Sequence, residues 1–193
     1  MDYKVILGYI SILIAIASYI IYFERIFTNK IKPHAFSWLI WSISVGIAFL
    51  ASFIKNGGSG SWVIGLTSIA CFIIFILALF KGEKKFNKFD WISLASALAA
   101  IFLWIFTKEP TFSVILITII DLIGFIPTAN KSFYKPNEES ALFFSLAGFK
   151  FIIAIFAINS FSINTLLYPA SLVLTNSVLA LIILVRKVQF RKF

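Results

Sequence analysis

Two side chains could do electrostatic work deep inside apolar surroundings: Asp121 and Lys150, each set within a long hydrophobic run. An ionisable group at such a position is costly to hold, so it marks a ligand site, an ion path or a structural pair. Asp121 lies ten residues after Thr111, and Lys150 lies ten residues after Ser140. At about 1.5 Å per helical residue, both sit about 15 Å deep in a run that crosses a bilayer. Asn176 falls at a similar depth in the last run, and Thr118 and Gly124 lie one helical turn either side of Asp121. Tyr168 and Pro169 lie about two turns further out than Asn176, where the proline frees a backbone carbonyl. These residues suit fixing a polar solute or relaying a proton. Asp121 and Lys150 equally suit neutralising each other and tying two helices together.

Other chemistry finds less material. His34 and Cys71 are the only histidine and cysteine, far apart in sequence, which is a poor basis for a zinc site or a nucleophile–base pair. Gly57-Gly58-Ser59-Gly60 has no following Lys-Ser/Thr and no strand before it, so it is no phosphate cradle. No enzyme and no cofactor is expected.

The elements that must carry these residues follow from composition. The 193 residues are 61% hydrophobic and 13% charged, with a mean hydropathy of +1.00. Soluble domains sit near 45–50% apolar and about 25% charged. The chain therefore reads as an all-α integral membrane protein, with the lipid bilayer as its main partner. Seven apolar runs are expected as transmembrane helices, at about 3–23, 35–54, 62–80, 91–107, 111–129, 141–158 and 163–185. The first run has Ala15-Ile16-Ala17, like a signal-peptidase site, but it lacks a basic start and is long, so it counts as a helix.

Thirteen Lys and Arg fall on one side of the spans: Arg25, Lys30, Lys32, Lys81, Lys84, Lys85, Lys88, Lys131, Lys135, Arg186, Lys187, Arg191 and Lys192. The other side holds Lys4, Lys55 and Lys108. This bias predicts a cytoplasmic C-terminus and an outer N-terminus, in the cell membrane of a bacterium. It also explains the net charge of +9 without nucleic acid as a partner. Trp38, Trp41 and Trp91 are expected in the cytoplasmic aromatic belt, and Trp62 and Trp104 in the outer one.

A shift of 103 residues lays Lys32-Pro33 on Lys135-Pro136 and Ser37 on Ser140. It also pairs Leu39 with Leu142, Ser42 with Ser145, Ala51 with Ala154, Phe53 with Phe156 and Asn56 with Asn159. Helix 2 thus repeats as helix 6, which predicts a 3+1+3 plan of two parallel three-helix repeats: 1–85, a linker helix in 86–109, and 110–193. Helix 3 on helix 7 needs another register, with Trp62 on Tyr168 or Ser68 on Asn176. In the linker, Ser93, Ala97, Ser96 and Ala100 have spacing for close helix packing.

This plan resembles the SWEET and PQ-loop superfamily of transporters, over essentially the whole chain. The residues nearest the family motif are Pro127, the basic stretch Lys131 to Lys135, and Ser140. Pro127 precedes Thr128 where the family has glutamine, and the first repeat has Glu24 in place of the proline. The family's sugar carriers use asparagines in helices 3 and 7; Asn176 matches the second, and helix 3 offers Thr67 and Ser68. Bacterial nicotinamide riboside carriers share the plan and use a Trp-x-x-Trp element, a spacing that Trp38 and Trp41 reproduce in helix 2. The resemblance implies a small polar solute transporter working by alternating access. Pro127 and Pro169 would be its hinges, and Asp121, Lys150, Asn176, Thr118 and Tyr168 would bind the solute. The alternatives are a seven-helix receptor or sensor, or a structural membrane protein. Helix 7 lacks the lysine that a retinal protein needs. The small size leaves room for a homo-oligomer.

Overall fold

The computed structural model describes residues 2–83, 88–107 and 110–190. Seven helices appear in it: α1 (Tyr3–Phe27), α2 (Ala35–Ile54), α3 (Trp62–Lys81), α4 (Lys88–Thr107), α5 (Pro110–Tyr134), α6 (Ala141–Phe156) and α7 (Ile163–Phe190). Short 3-10 turns at Gly58–Ser61 and Pro136–Glu138 lead into α3 and α6. Among the described residues there is no strand beyond an isolated bridge between His34 and Glu83. Lys84, Lys85, Lys108, Arg191 and Lys192 lie outside the described residues, as do the side chains of Ser93, Ala97, Ala100 and Trp104.

Local chemistry sets the helix ends. Asp2 caps α1 by accepting from the Lys4 amide at 3.2 Å, and Ser140 caps α6 by accepting from Phe143 at 3.3 Å. Asn29 and Asn56 take positive φ just after α1 and α2, where Asn tolerates the left-handed region. The helices are apolar nearly all round, with faces such as Leu13, Ile20, Phe53, Ile69, Phe80 and Leu174 exposed. Five segments are long and apolar enough to cross a membrane: Tyr3–Phe27, Ala35–Ile54, Gly58–Lys81, Thr111–Tyr134 and Ile163–Phe190. The 16 residues of α6 rise about 24 Å, short of a bilayer's hydrocarbon core of about 30 Å.

Six helices close into a ring. In order around it, α1 packs on α3, α3 on α2, α2 on α5, α5 on α7, α7 on α6, and α6 returns to α1. Helix α3 thus lies between α1 and α2, and α7 between α5 and α6. Helix α4 stands outside the ring, against α5 and α2. Gly124 of α5 meets Ile40 of α2, and a Cβ there would sit 2.9 Å from the Ile40 Cγ2. That absence of a side chain lets α2 and α5 approach closely.

The helix starts give their own register. Helices α2 and α6 begin at Ala35 and Ala141, 106 residues apart, against the 103 of the sequence identities. His34 and Ser140, the two N-caps, therefore correspond, and Ser37 lies within α2. The three-residue difference is nearly one turn, so both registers bring similar faces together.

Candidate functional site

The interior of the ring holds a cavity of about 40 Å³, to which all six ring helices contribute. That is room for a few water molecules. Its lining includes Tyr19, Trp38, Trp41, Thr67, Cys71, Asp121, Lys150, Thr175 and Asn176. The aromatic side chains Phe125, Phe143, Phe144 and Phe151 complete most of the wall.

Lys150 is fully buried. Its Nζ donates to the Thr67 Oγ1 at 3.0 Å and to the Tyr19 Oη at 3.2 Å. Thr67 can accept because its own hydroxyl proton is committed to the Val63 carbonyl at 2.7 Å, one turn back in α3. The amine also lies 4.4 Å from the Tyr19 ring centre and 4.8 Å from that of Phe151. Ring faces attract an ammonium, the more so when it is desolvated. Every partner of Lys150 is therefore neutral.

Asp121 is also buried, and its Oδ1 accepts from the Tyr168 hydroxyl at 2.8 Å. Asp121 and Lys150 form no ion pair. The acid of α5 is held by α7, while the amine of α6 turns to α1 and α3. Mutual neutralisation by contact, one of the two uses expected, is not what the geometry gives.

The remaining candidates divide. Asn176 lines the cavity, with its Nδ2 donating to the Leu172 carbonyl at 2.7 Å. Tyr168 acts through Asp121. Thr118 is buried but satisfies the Val114 carbonyl at 2.7 Å within its own helix, and it is not part of the lining. Pro127 and Pro169 lie inside α5 and α7, where each removes a backbone donor and frees the carbonyl four residues before it, on Ile123 and Thr165.

The aromatic-belt expectation for two tryptophans is corrected. Trp38 is 1% exposed and lines the cavity beside Trp41, its ring 5.1 Å away. The apolar run of α2 buries most of its girth within the ring, so the tryptophans near its start turn inward. Trp91 and Trp62 are exposed.

Sequence reasoning missed Tyr19, and it missed a second buried cluster towards the Lys-rich end. There the Lys131 Nζ meets the Glu139 Oε1 at 2.9 Å, with Glu139 fully buried. The Tyr22 hydroxyl donates to the Glu139 Oε2 at 3.2 Å, and Lys187 donates to the Glu139 carbonyl at 3.0 Å. Lys131 also bonds the carbonyls of Lys32 and Glu138. The signal was present in sequence: a lysine in α5 and two consecutive acids just before α6. Between this cluster and the cavity, the rings of Tyr22, Trp38, Phe143 and Phe144 pack together, with centres 4.3 Å apart for Tyr22 and Phe143. Nearer the surface, Lys32 pairs with Glu138 at 3.5 Å and Lys135 with Glu83 at 3.1 Å.

The opposite end is tied by neutral oxygens and one amine. Ser59 donates to the Lys4 carbonyl at 2.8 Å and approaches that of Ala157 at 3.3 Å. The Lys4 Nζ donates to the Ile158 carbonyl at 2.8 Å. Polar contacts thus tie the ring together at both ends, while the cavity itself is only partly enclosed.

Fold and site together define a bundle of apolar helices ringing a small cavity that carries a buried acid and a buried amine. No family model matches the chain, and neither does any curated protein or solved structure. No group of His, Cys, Asp or Glu among the described residues is arranged to hold a metal ion.

Proposed function

We propose that this chain is a multi-pass membrane carrier for a small polar solute, working by alternating access. The observation that carries the reading is the six-helix cavity, lined by both Lys150 and Asp121, which do not pair with each other. A purely structural role would favour contact between the two charges, because each is costly alone in a low-dielectric interior. A site that awaits a solute keeps them apart.

The ring order supports two three-helix units, α1–α3 and α5–α7, with α4 as the linker that lets both run in the same direction. This is the 3+1+3 plan of the SWEET and PQ-loop superfamily, to which we assign the chain as a proposal. The units would rock about the cavity, opening one end while the other stays sealed. Pro127 and Pro169 supply points where the helix ladder is already interrupted. Loop charge favours an orientation with the Lys-rich end in the cytoplasm and the N-terminus outside. The exposed Leu, Ile and Phe faces then meet lipid.

Uptake by purified protein in liposomes tests the reading. Lys150→Met and Asp121→Asn should each reduce transport of an identified solute at least tenfold, with protein yield and monodispersity retained. Wild-type rates in both variants would remove the site assignment.

A further inference from the structure

The cavity presents an amine and a carboxyl group from different helices, α6 and α5, with no ion pair between them. Lys150 has only neutral partners: a threonine oxygen, a tyrosine oxygen and two ring faces. In its ammonium form an amine so placed lacks a counter-anion, and a carboxylate in the cavity would supply one. Asp121 has a single side-chain hydrogen bond, from Tyr168. A carboxylate offers about four lone-pair sites, so acceptor capacity is left over for a cationic donor. The same lining includes Trp38, Trp41, Phe125 and Phe143, which offer apolar and π surface, and its neutral polar side chains are few: Thr67, Thr175 and Asn176 beside Tyr19 and Cys71. Thr67 and Asn176 already bond carbonyls of their own helices, so a neutral polyol, which needs many paired donors and acceptors around it, is poorly served.

From this arrangement we infer that the transported solute is a zwitterion, a small amino acid with an apolar side chain. Its carboxylate rests at Lys150, its ammonium at Asp121 and its side chain against the aromatic wall. The inference rests on the carrier reading and deepens it. It also accounts for the separation of the charges: an ion pair between Lys150 and Asp121 would compete with the solute for both groups. The space of about 40 Å³ is too small for an amino acid, so binding requires the units to part.

The test is thermal stability of the detergent-purified wild-type chain in the presence of each standard amino acid, trimethylglycine and D-glucose at millimolar concentration. A ligand selective for the folded state raises the melting temperature. At least one apolar amino acid should do so, and glucose should not. The N-acetyl derivative of that amino acid, which keeps only the anion, should bind about thirtyfold more weakly or worse, and so should its amide, which keeps only the cation. In Lys150→Gln the carboxylate should cease to matter, so the amino acid and its amide become equal. Stabilisation by glucose alone, or by no amino acid, overturns the inference. So does equal binding of the amino acid and both derivatives by the wild type. Charge-dependent binding without uptake in liposomes would leave the zwitterion site standing and remove the carrier reading. Uptake of a neutral solute that is indifferent to Lys150→Gln would do the reverse.

Discussion

Replacing Glu139 by glutamine removes one charge from a pair that is almost wholly out of contact with solvent: Glu139 is 0% and Lys131 8% exposed. Breaking a buried ion pair from one side costs about 3–5 kcal/mol, because the surviving charge keeps its desolvation penalty. Here the survivor retains the Lys32 and Glu138 carbonyls, and glutamine still offers Tyr22 and Lys131 an oxygen. The loss should fall to about 2–3 kcal/mol, which is roughly 5–10 °C in melting temperature for a chain of this length. Lys131→Met leaves the Glu139 carboxylate with only Tyr22 on its side-chain oxygens and should cost more, about 3–5 kcal/mol. The double variant Lys131→Met/Glu139→Gln removes both charges and should recover much of that loss, so the two changes are strongly non-additive. Melting of the four proteins in one detergent, followed by tryptophan fluorescence, gives the cycle. A Glu139→Gln protein within about 0.5 kcal/mol of wild type, or simple additivity, would refute the claim that the pair works as a buried unit.

Two further outcomes follow from the surface of the same end. Burial disfavours the Glu83 carboxylate, but the hydrogen bond and charge of Lys135, with Lys131 and Lys32 nearby, outweigh it and hold the group below its ordinary value. Its contribution is therefore complete above about pH 4.3, the value in an unfolded chain, and fades as pH falls through the lower folded value. Glu83→Gln should be less stable than wild type by under about 1 kcal/mol at pH 7, with the gap closing on acidification; a gap that widens instead contradicts this sign. Gly82 ends α3 where an added Cβ would overlap the Pro33 and Ala78 carbonyl oxygens, so Gly82→Ala should lower the melting temperature by the equivalent of about 1–3 kcal/mol. An unchanged melting temperature would show that the Pro33 strand of contact yields freely.

The helices were legible because apolar runs interrupted by Lys, Pro and Gly leave little choice of element. The start of α2 at Ala35 and of α6 at Ala141 agree with the sequence reading. The ends of α1, α5 and α7 were read short, because Arg25, Lys131 and Lys187 continue the helix after the apolar stretch stops. Asp121, Lys150 and Asn176 stood out as polar residues within apolar runs, and they do share a cavity. Their partners did not stand out. Tyr19 and Trp38 are amphipathic, so type alone does not say whether a ring faces lipid, the interface or the interior. That choice is made by rotation of each helix within the ring, which hydropathy along the chain does not encode. Glu139 was hidden for a different reason: next to a charged loop, a buried acid reads like one more solvated residue.

Cys71 carries the last consequence. It is the sole thiol in the chain, and it sits in the cavity wall with its sulfur 4.0 Å from the Tyr19 hydroxyl, 3% exposed. No other sulfhydryl competes with it, so the unaltered protein is already a single-site labelling substrate. On the carrier reading, the rate at which a small alkylating reagent modifies it would report how often the interior opens to water. Charged reagents of opposite permeability, added to one face of sealed vesicles at a time, would tell from which side each opening comes.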